Sequence, residues 1–130
     1  MPRLVLLLLA GALGAGFSTA AAASECQYRY RFRGGTTTNG ALMVNSGTYC
    51  ESQIRLGRLA RRSYQAQVTR IEGVTIAGPA THGNARVVGN RFAYQSAPGY
   101  RGQDQFTVVL ALRSDRGASR ARVNIDVDVH

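Results

Sequence analysis

The sequence predicts an all-β domain, a sandwich of about seven short antiparallel strands preceded by a signal peptide. Three observations predict it. Short stretches of alternating apolar and polar residues recur along the chain, punctuated by Gly, Pro and Asn turns. No long amphipathic helix appears beyond the first residues. The stretch from Pro98 to Leu112 begins as a turn at Pro98-Gly99 and Gly102 and then runs on as a strand. Phe106, Val108, Leu110 and Leu112 share one face of it, and Thr107, Val109 and Ala111 share the other. A strand apolar on both faces belongs inside a sheet.

The first residues read as a leader rather than as fold. Pro2-Arg3 is a weakly basic start, Leu4 to Leu13 is an apolar run, and Gly14 to Ala23 is small and ends in four alanines. This is the pattern of a secretory signal peptide, with cleavage after Ala22 or Ala23. The apolar run is too short for a stable membrane span. The expected organisation is a signal peptide over 1–23 and one domain over 24–130, secreted or periplasmic, with no transmembrane span after cleavage. A domain that small has a marginal core, and a covalent staple helps it. Cys26 and Cys50, the two cysteines, are expected to form a disulfide in an exported chain. Closing a loop of about 25 residues stabilises by roughly 3.5 kcal/mol through lost chain entropy.

Charge is the strongest compositional signal. The formal net charge is +9, and all sixteen basic residues are arginine. The absence of lysine fits a GC-rich coding sequence, but the positive excess attracts anionic surfaces and polymers whatever its origin.

The strands follow in order. Tyr28, Tyr30 and Phe32 alternate with Arg29, Arg31 and Arg33, which predicts a half-buried strand from Gln27 to Arg33 with an outward arginine row. That row is either an anion-binding ridge or a solvated face that discourages edge-to-edge aggregation. Gly34 to Gly40 reads as a loop, and Ala41 to Val44 as a short strand. Thr48 to Leu56 reads as a strand with Cys50, Ser52 and Ile54 inward. Arg55 and the connection carrying Arg58, Arg61 and Arg62 add the densest positive charge in the chain. Tyr64 to Ala77 holds one or two strands with a bulge or bend at Gly73. Asn84 to Val88 and Arg91 to Gln95 form a hairpin about Gly89-Asn90. In the last strand Ala121, Val123, Ile125, Val127 and Val129 oppose Arg120, Arg122, Asn124, Asp126 and Asp128. It is expected to pair with Phe106 to Leu112 across the turn at Ser114 to Gly117.

Pro79, His82 and Gly83, then Tyr94, then Pro98-Gly99-Tyr100-x-Gly102-x-Asp104-x-Phe106, resemble the bacterial Ig-like and cadherin-like repeat families. The resemblance covers about Ile71 to Val129. It implies an Ig-like sandwich in exported bacterial proteins, used for adhesion or as a spacer, and it implies no enzymatic activity. The residues themselves suggest structural work. Gly102 allows a tight backbone path, Asp104 accepts loop N–H groups, Phe106 anchors the core, and Tyr94 and Tyr100 flank it. The acidic clusters that hold calcium between cadherin-like repeats are absent from the sequence, and Asp104, Asp126 and Asp128 fall short of the oxygens calcium takes.

The sequence offers no catalytic constellation. His82 and His130 have no second ligand at metal spacing, and the seven carboxylates are scattered. No cofactor or metal is expected. Tyr and Arg interleaved from Tyr28 to Arg33 suit stacking on nucleic acid, but export removes the chain from that partner. The expected function is a non-catalytic module of the bacterial envelope that binds an anionic glycan, lipid or protein through Arg29, Arg31, Arg33, Arg55, Arg58, Arg61 and Arg62. The alternative is an accessory domain that joins an envelope protein assembly by pairing at a sheet edge.

Overall fold

A computed structural model describes residues 26–54, 56 and 68–130. The expected signal peptide, Arg55 and the connection with Arg58, Arg61 and Arg62 lie outside the described residues. The described chain is all-β. It runs β1 (Cys26–Arg29), β2 (Thr37–Val44), β3 (Tyr49–Glu51), β4 (Val68–Gly78), β5 (Gly83–Val88), β6 (Arg91–Ser96), β7 (Gly102–Ser114) and β8 (Gly117–Val129). Eight strands are thus described where about seven were expected.

They form a five-stranded sheet, β1-β2-β8-β7-β4, and a three-stranded sheet, β3-β6-β5. The β7/β8 hairpin is the spine. It pairs without a slip from Gly102 opposite Val129 to Ser114 opposite Gly117. Both strands alternate, so each sends one row inward: Phe106, Val108, Leu110 and Leu112 from β7, and Ala121, Val123, Ile125, Val127 and Val129 from β8. The three-stranded sheet closes over these rows with Cys50, Phe92 and Tyr94. Tyr94 stacks on Phe106 at 5.6 Å between ring centroids. Phe92 meets Phe106 edge-on at 5.9 Å. One continuous core therefore lies between the two sheets.

Turn chemistry fits where it was expected. Gly89 takes a positive φ of 59° at the tip of the β5/β6 hairpin. In β4 the pairing slips between Ile71 and Gly73, which is the bulge that glycine announces. The Cys26–Cys50 disulfide forms and ties β1 of one sheet to β3 of the other.

Three expectations are corrected. The ladder of the first strand ends at Arg29, although Tyr30 and Phe32 still pack inward against the core. Thr37 to Gly40 is strand rather than loop, and β2 runs parallel to β8 over its whole length, from Thr37 beside Arg122 to Val44 beside Val129. Its inward residues are Thr38, Gly40, Leu42 and Val44, so the β-branched Thr38 extends the apolar alternation. The Thr48 to Leu56 strand shortens to Tyr49–Glu51, with Cys50 and Ser52 buried as expected.

Candidate functional site

The site is built by the way β1 and β2 lie beside the β7/β8 hairpin in the five-stranded sheet. Tyr28 and Tyr30 turn inward and meet Phe92 at 5.6 and 5.5 Å. The Tyr28 hydroxyl donates to the Cys50 carbonyl at 3.0 Å, and burial pushes its pKa up. Alternation then leaves Arg29, Arg31 and Arg33 exposed on the other side. The chain can run this close because of Gly40. A Cβ there would stand 2.5 Å from the Tyr30 Cβ and 2.9 Å from Ile125 Cδ1.

After Arg33 the chain turns back at Gly34-Gly35, with Gly35 at φ 77°. The turn is clamped onto β8. Gly35 N–H donates to the Arg120 carbonyl at 2.7 Å, and Arg122 N–H donates to the Thr36 carbonyl at 3.0 Å. Thr36 and Thr38 hydroxyls cap the carbonyls of Arg33 and Arg31. Arg120 and Arg122 point away from the core because Ala121 and Val123 point into it. An open depression of about 350 Å³ lies here, lined by Thr36, Thr37, Val109, Arg120 and Arg122 among others.

Charge balance separates these arginines from Arg70, Arg91 and Arg113. Glu72 pairs with Arg70 at 2.9 Å and with Arg113 at 3.0 Å. Those two guanidinium groups, Arg70 first, hold its carboxyl below the usual range. Arg91 pairs with Glu51 at 3.2 Å. Among the described residues, no carboxylate is in ion-pair contact with Arg29, Arg31, Arg33, Arg120 or Arg122. The outer face of the five-stranded sheet is therefore basic at this end. Its opposite end carries Asp126 and Asp128, and its middle carries a polar ladder. The Thr107 hydroxyl donates to Asn124 at 3.0 Å, and the Asn124 amide donates to Asn39 at 3.4 Å.

The structure thus brings Arg33 to the end of the sheet that carries Arg120 and Arg122, while Arg29 lies level with Ala41 and Asp126 and Arg31 falls between. Sequence reasoning placed Arg120 and Arg122 on a polar strand face and did not count them as binding. Their alternation was visible. Their neighbours were not, because the parallel β2–β8 pairing brings together residues some 85 positions apart.

Gly83, Tyr94, Gly102, Asp104 and Phe106 assemble at the other end of the sandwich and do structural work, and Pro79 is exposed beside them at the end of β4. Asp104 is buried at the start of β7. One carboxylate oxygen accepts the N–H groups of Thr81 and Gln105, both at 2.9 Å. The other accepts His82 N–H at 3.0 Å and the Tyr94 hydroxyl at 2.8 Å. Burial raises its pKa, but the four donors outweigh burial and leave it below its ordinary value. The carboxylate thereby pins the turn after Pro79 to both sheets. Gly102 sits at φ 133°, as a tight approach to β7 requires. Gly83 has no room for a side chain, since a Cβ would lie 2.7 Å from the Tyr94 hydroxyl oxygen. The His82 ring stacks on Tyr100 at 4.2 Å, which occupies the side chain in the turn. His130 Nε2 lies 3.6 Å from Asp128.

Among the described residues, no group of three or more His, Cys, Asp and Glu side chains is placed to hold a metal, and no helix is long and apolar enough to cross a membrane. No protein-family model matches the chain, and no curated protein matches it.

Proposed function

We propose that the protein is an exported, non-catalytic Ig-like domain that binds an anionic partner of the bacterial envelope through the basic end of its five-stranded sheet. The observation that carries the reading is the set of Arg29, Arg31, Arg33, Arg120 and Arg122. They are exposed on one face, without ion-paired carboxylates among the described residues. Arg120 and Arg122 line the open depression, Arg33 leads into the turn at its rim, and Arg29 lies farther along the sheet, level with Asp126. Guanidinium groups bind carboxylate, phosphate and sulfate as planar forks. A cluster of them on a rigid sheet is pre-positioned for such groups. The +9 net charge adds long-range attraction and raises the rate of encounter.

Strand order supports the Ig-like part. The last six strands divide into β3-β6-β5 and β4-β7-β8. Labelled B to G in chain order, these are the B-E-D and C-F-G groupings of an immunoglobulin sandwich. The disulfide is compatible with an oxidising, extracytoplasmic address.

The test is retention of the oxidised protein on an immobilised sulfated polysaccharide, eluted with salt. The variants Arg31→Ala, Arg33→Ala, Arg120→Ala and Arg122→Ala are each expected to elute at lower salt. Arg91→Ala, whose guanidinium is paired with Glu51, is the control. Equal elution of all five would sink the proposal.

One observation favours the edge-pairing alternative. β5 is an unbulged edge strand of six residues and exposes Val87 and Val88. A protein partner lost on Val87→Lys, yet indifferent to the arginine changes, would establish that role instead.

A further inference from the structure

We infer that the outer face of the five-stranded sheet also pairs two copies of this chain, face to face, with their β8 strands antiparallel. The inference goes beyond the anionic-partner reading and shares only Arg120 and Arg122 with it, adding Asn124, Asp126 and Asp128. The outward row of β8 is Arg120, Arg122, Asn124, Asp126 and Asp128. It is antisymmetric in charge about Asn124. A two-fold axis lying between two stacked sheets, perpendicular to the strands, reverses strand direction and keeps the strand order. β8 then lies over β8 with Asn124 over Asn124. Arg122 of each copy faces Asp126 of the other, and Arg120 faces Asp128. Four cross-copy ion pairs follow from one row, as an isologous interface requires. The other two-fold, along the strands, sets arginine on arginine and is disfavoured by charge alone.

The rest of the face permits close stacking. Beside Arg122 lie Thr37 and Val109, beside Arg120 lies Ala111, and beside Asp126 lie Ala41 and Gln105. Most are short side chains. Asn39, Asn124 and Thr107 form the central polar ladder on the axis. Five strands at about 4.8 Å spacing, over about nine residues at roughly 3.3 Å each, present on the order of 700 Å² per copy. That is close to the lower bound of a standard interface. Arg29, Arg31 and Arg33 sit at the β1 rim and repel their counterparts, so the pairing is weak and reversible.

The experiment is sedimentation velocity of the oxidised protein at low and high salt. The wild type is expected to form a dimer that dissociates as salt rises. Arg120→Asp with Arg122→Asp makes the row acidic throughout, and Asp126→Arg with Asp128→Arg makes it basic throughout. Each double variant alone is expected to self-associate about 100-fold more weakly or worse. Their equimolar mixture is expected to recover a heterodimer. Asp128 also bonds Gln103, so Asp126→Arg alone serves as the milder variant if that strand end is disturbed. A wild type still monomeric at about 1 mM in low salt, a dimer unchanged by both double variants, or a mixture no tighter than either component overturns the inference. The acid-end variants leave every arginine of the anionic site in place. Polysaccharide retention and dimerisation can therefore fail separately.

Discussion

Replacing Asp104 by alanine is the sharpest perturbation of the fold. Four donors lose their acceptor at once: the N–H groups of Thr81, His82 and Gln105, and the Tyr94 hydroxyl. An orphaned buried donor costs about 1–3 kcal/mol, with hydrogen bonds to a charged group at the upper end. The three backbone donors are partly reached by water and the Tyr94 hydroxyl is buried. The total is therefore about 3–5 kcal/mol rather than four full penalties. For a domain of this size about 1 kcal/mol shifts Tm by roughly 4 °C, so the expected loss is about 12–20 °C. The pH dependence carries a sign. The folded-state pKa lies below its unfolded value, so the carboxylate's contribution is complete above about pH 4 and is lost as pH falls through the folded value. Thermal unfolding followed by circular dichroism from pH 7 to 2 checks both. The wild type should lose stability below about pH 4, and Asp104→Asn should lose less over the same window. A Tm change under about 4 °C for Asp104→Ala, or identical acid profiles for wild type and Asp104→Asn, would refute the reasoning.

Three further outcomes are expected. Reduction of Cys26–Cys50, or Cys50→Ala, should cost roughly 3.5 kcal/mol, read as a lower denaturant midpoint with and without reductant. Gly40→Ala should cost about 1–3 kcal/mol by overpacking, because its Cβ meets Tyr30, Ile125 and the Arg29 carbonyl. The same unfolding assay measures it, and local exchange broadening in β1 would locate the strain. Glu72→Gln frees Arg70 and Arg113 from their shared carboxylate and should raise the salt needed to elute the protein from a sulfated polysaccharide.

What could be read in the sequence was what is local. The β5/β6 and β7/β8 hairpins follow from alternation plus a glycine turn, and the Gly73 bulge follows from one residue. The work of Asp104 was legible too, since a carboxylate just after Gly102 and opposite a Pro-Gly turn finds N–H groups within reach. The parallel run of β2 along β8 was not legible. Thr36-Thr37-Thr38-Asn39-Gly40 has loop composition, and its strand character depends on a neighbour far along the chain. The basic site shares that fate. Arg29, Arg31 and Arg33 announce themselves by alternation, but Arg120 and Arg122 come to the end of the sheet near Arg33 only through the non-local pairing. The length of β1 was overestimated for the complementary reason. Side-chain alternation continues to Phe32 while the backbone ladder stops at Arg29.

The central claim is that the basic end of the five-stranded sheet binds anions. The most direct test is a nitrogen–proton correlation spectrum of the oxidised protein titrated with a sulfated oligosaccharide. Chemical-shift changes are expected to cluster at Gly34 to Thr37, Val109 and Arg120 to Arg122, and to vanish when salt is raised. Changes confined to β5, or spread evenly over both sheets, would contradict it.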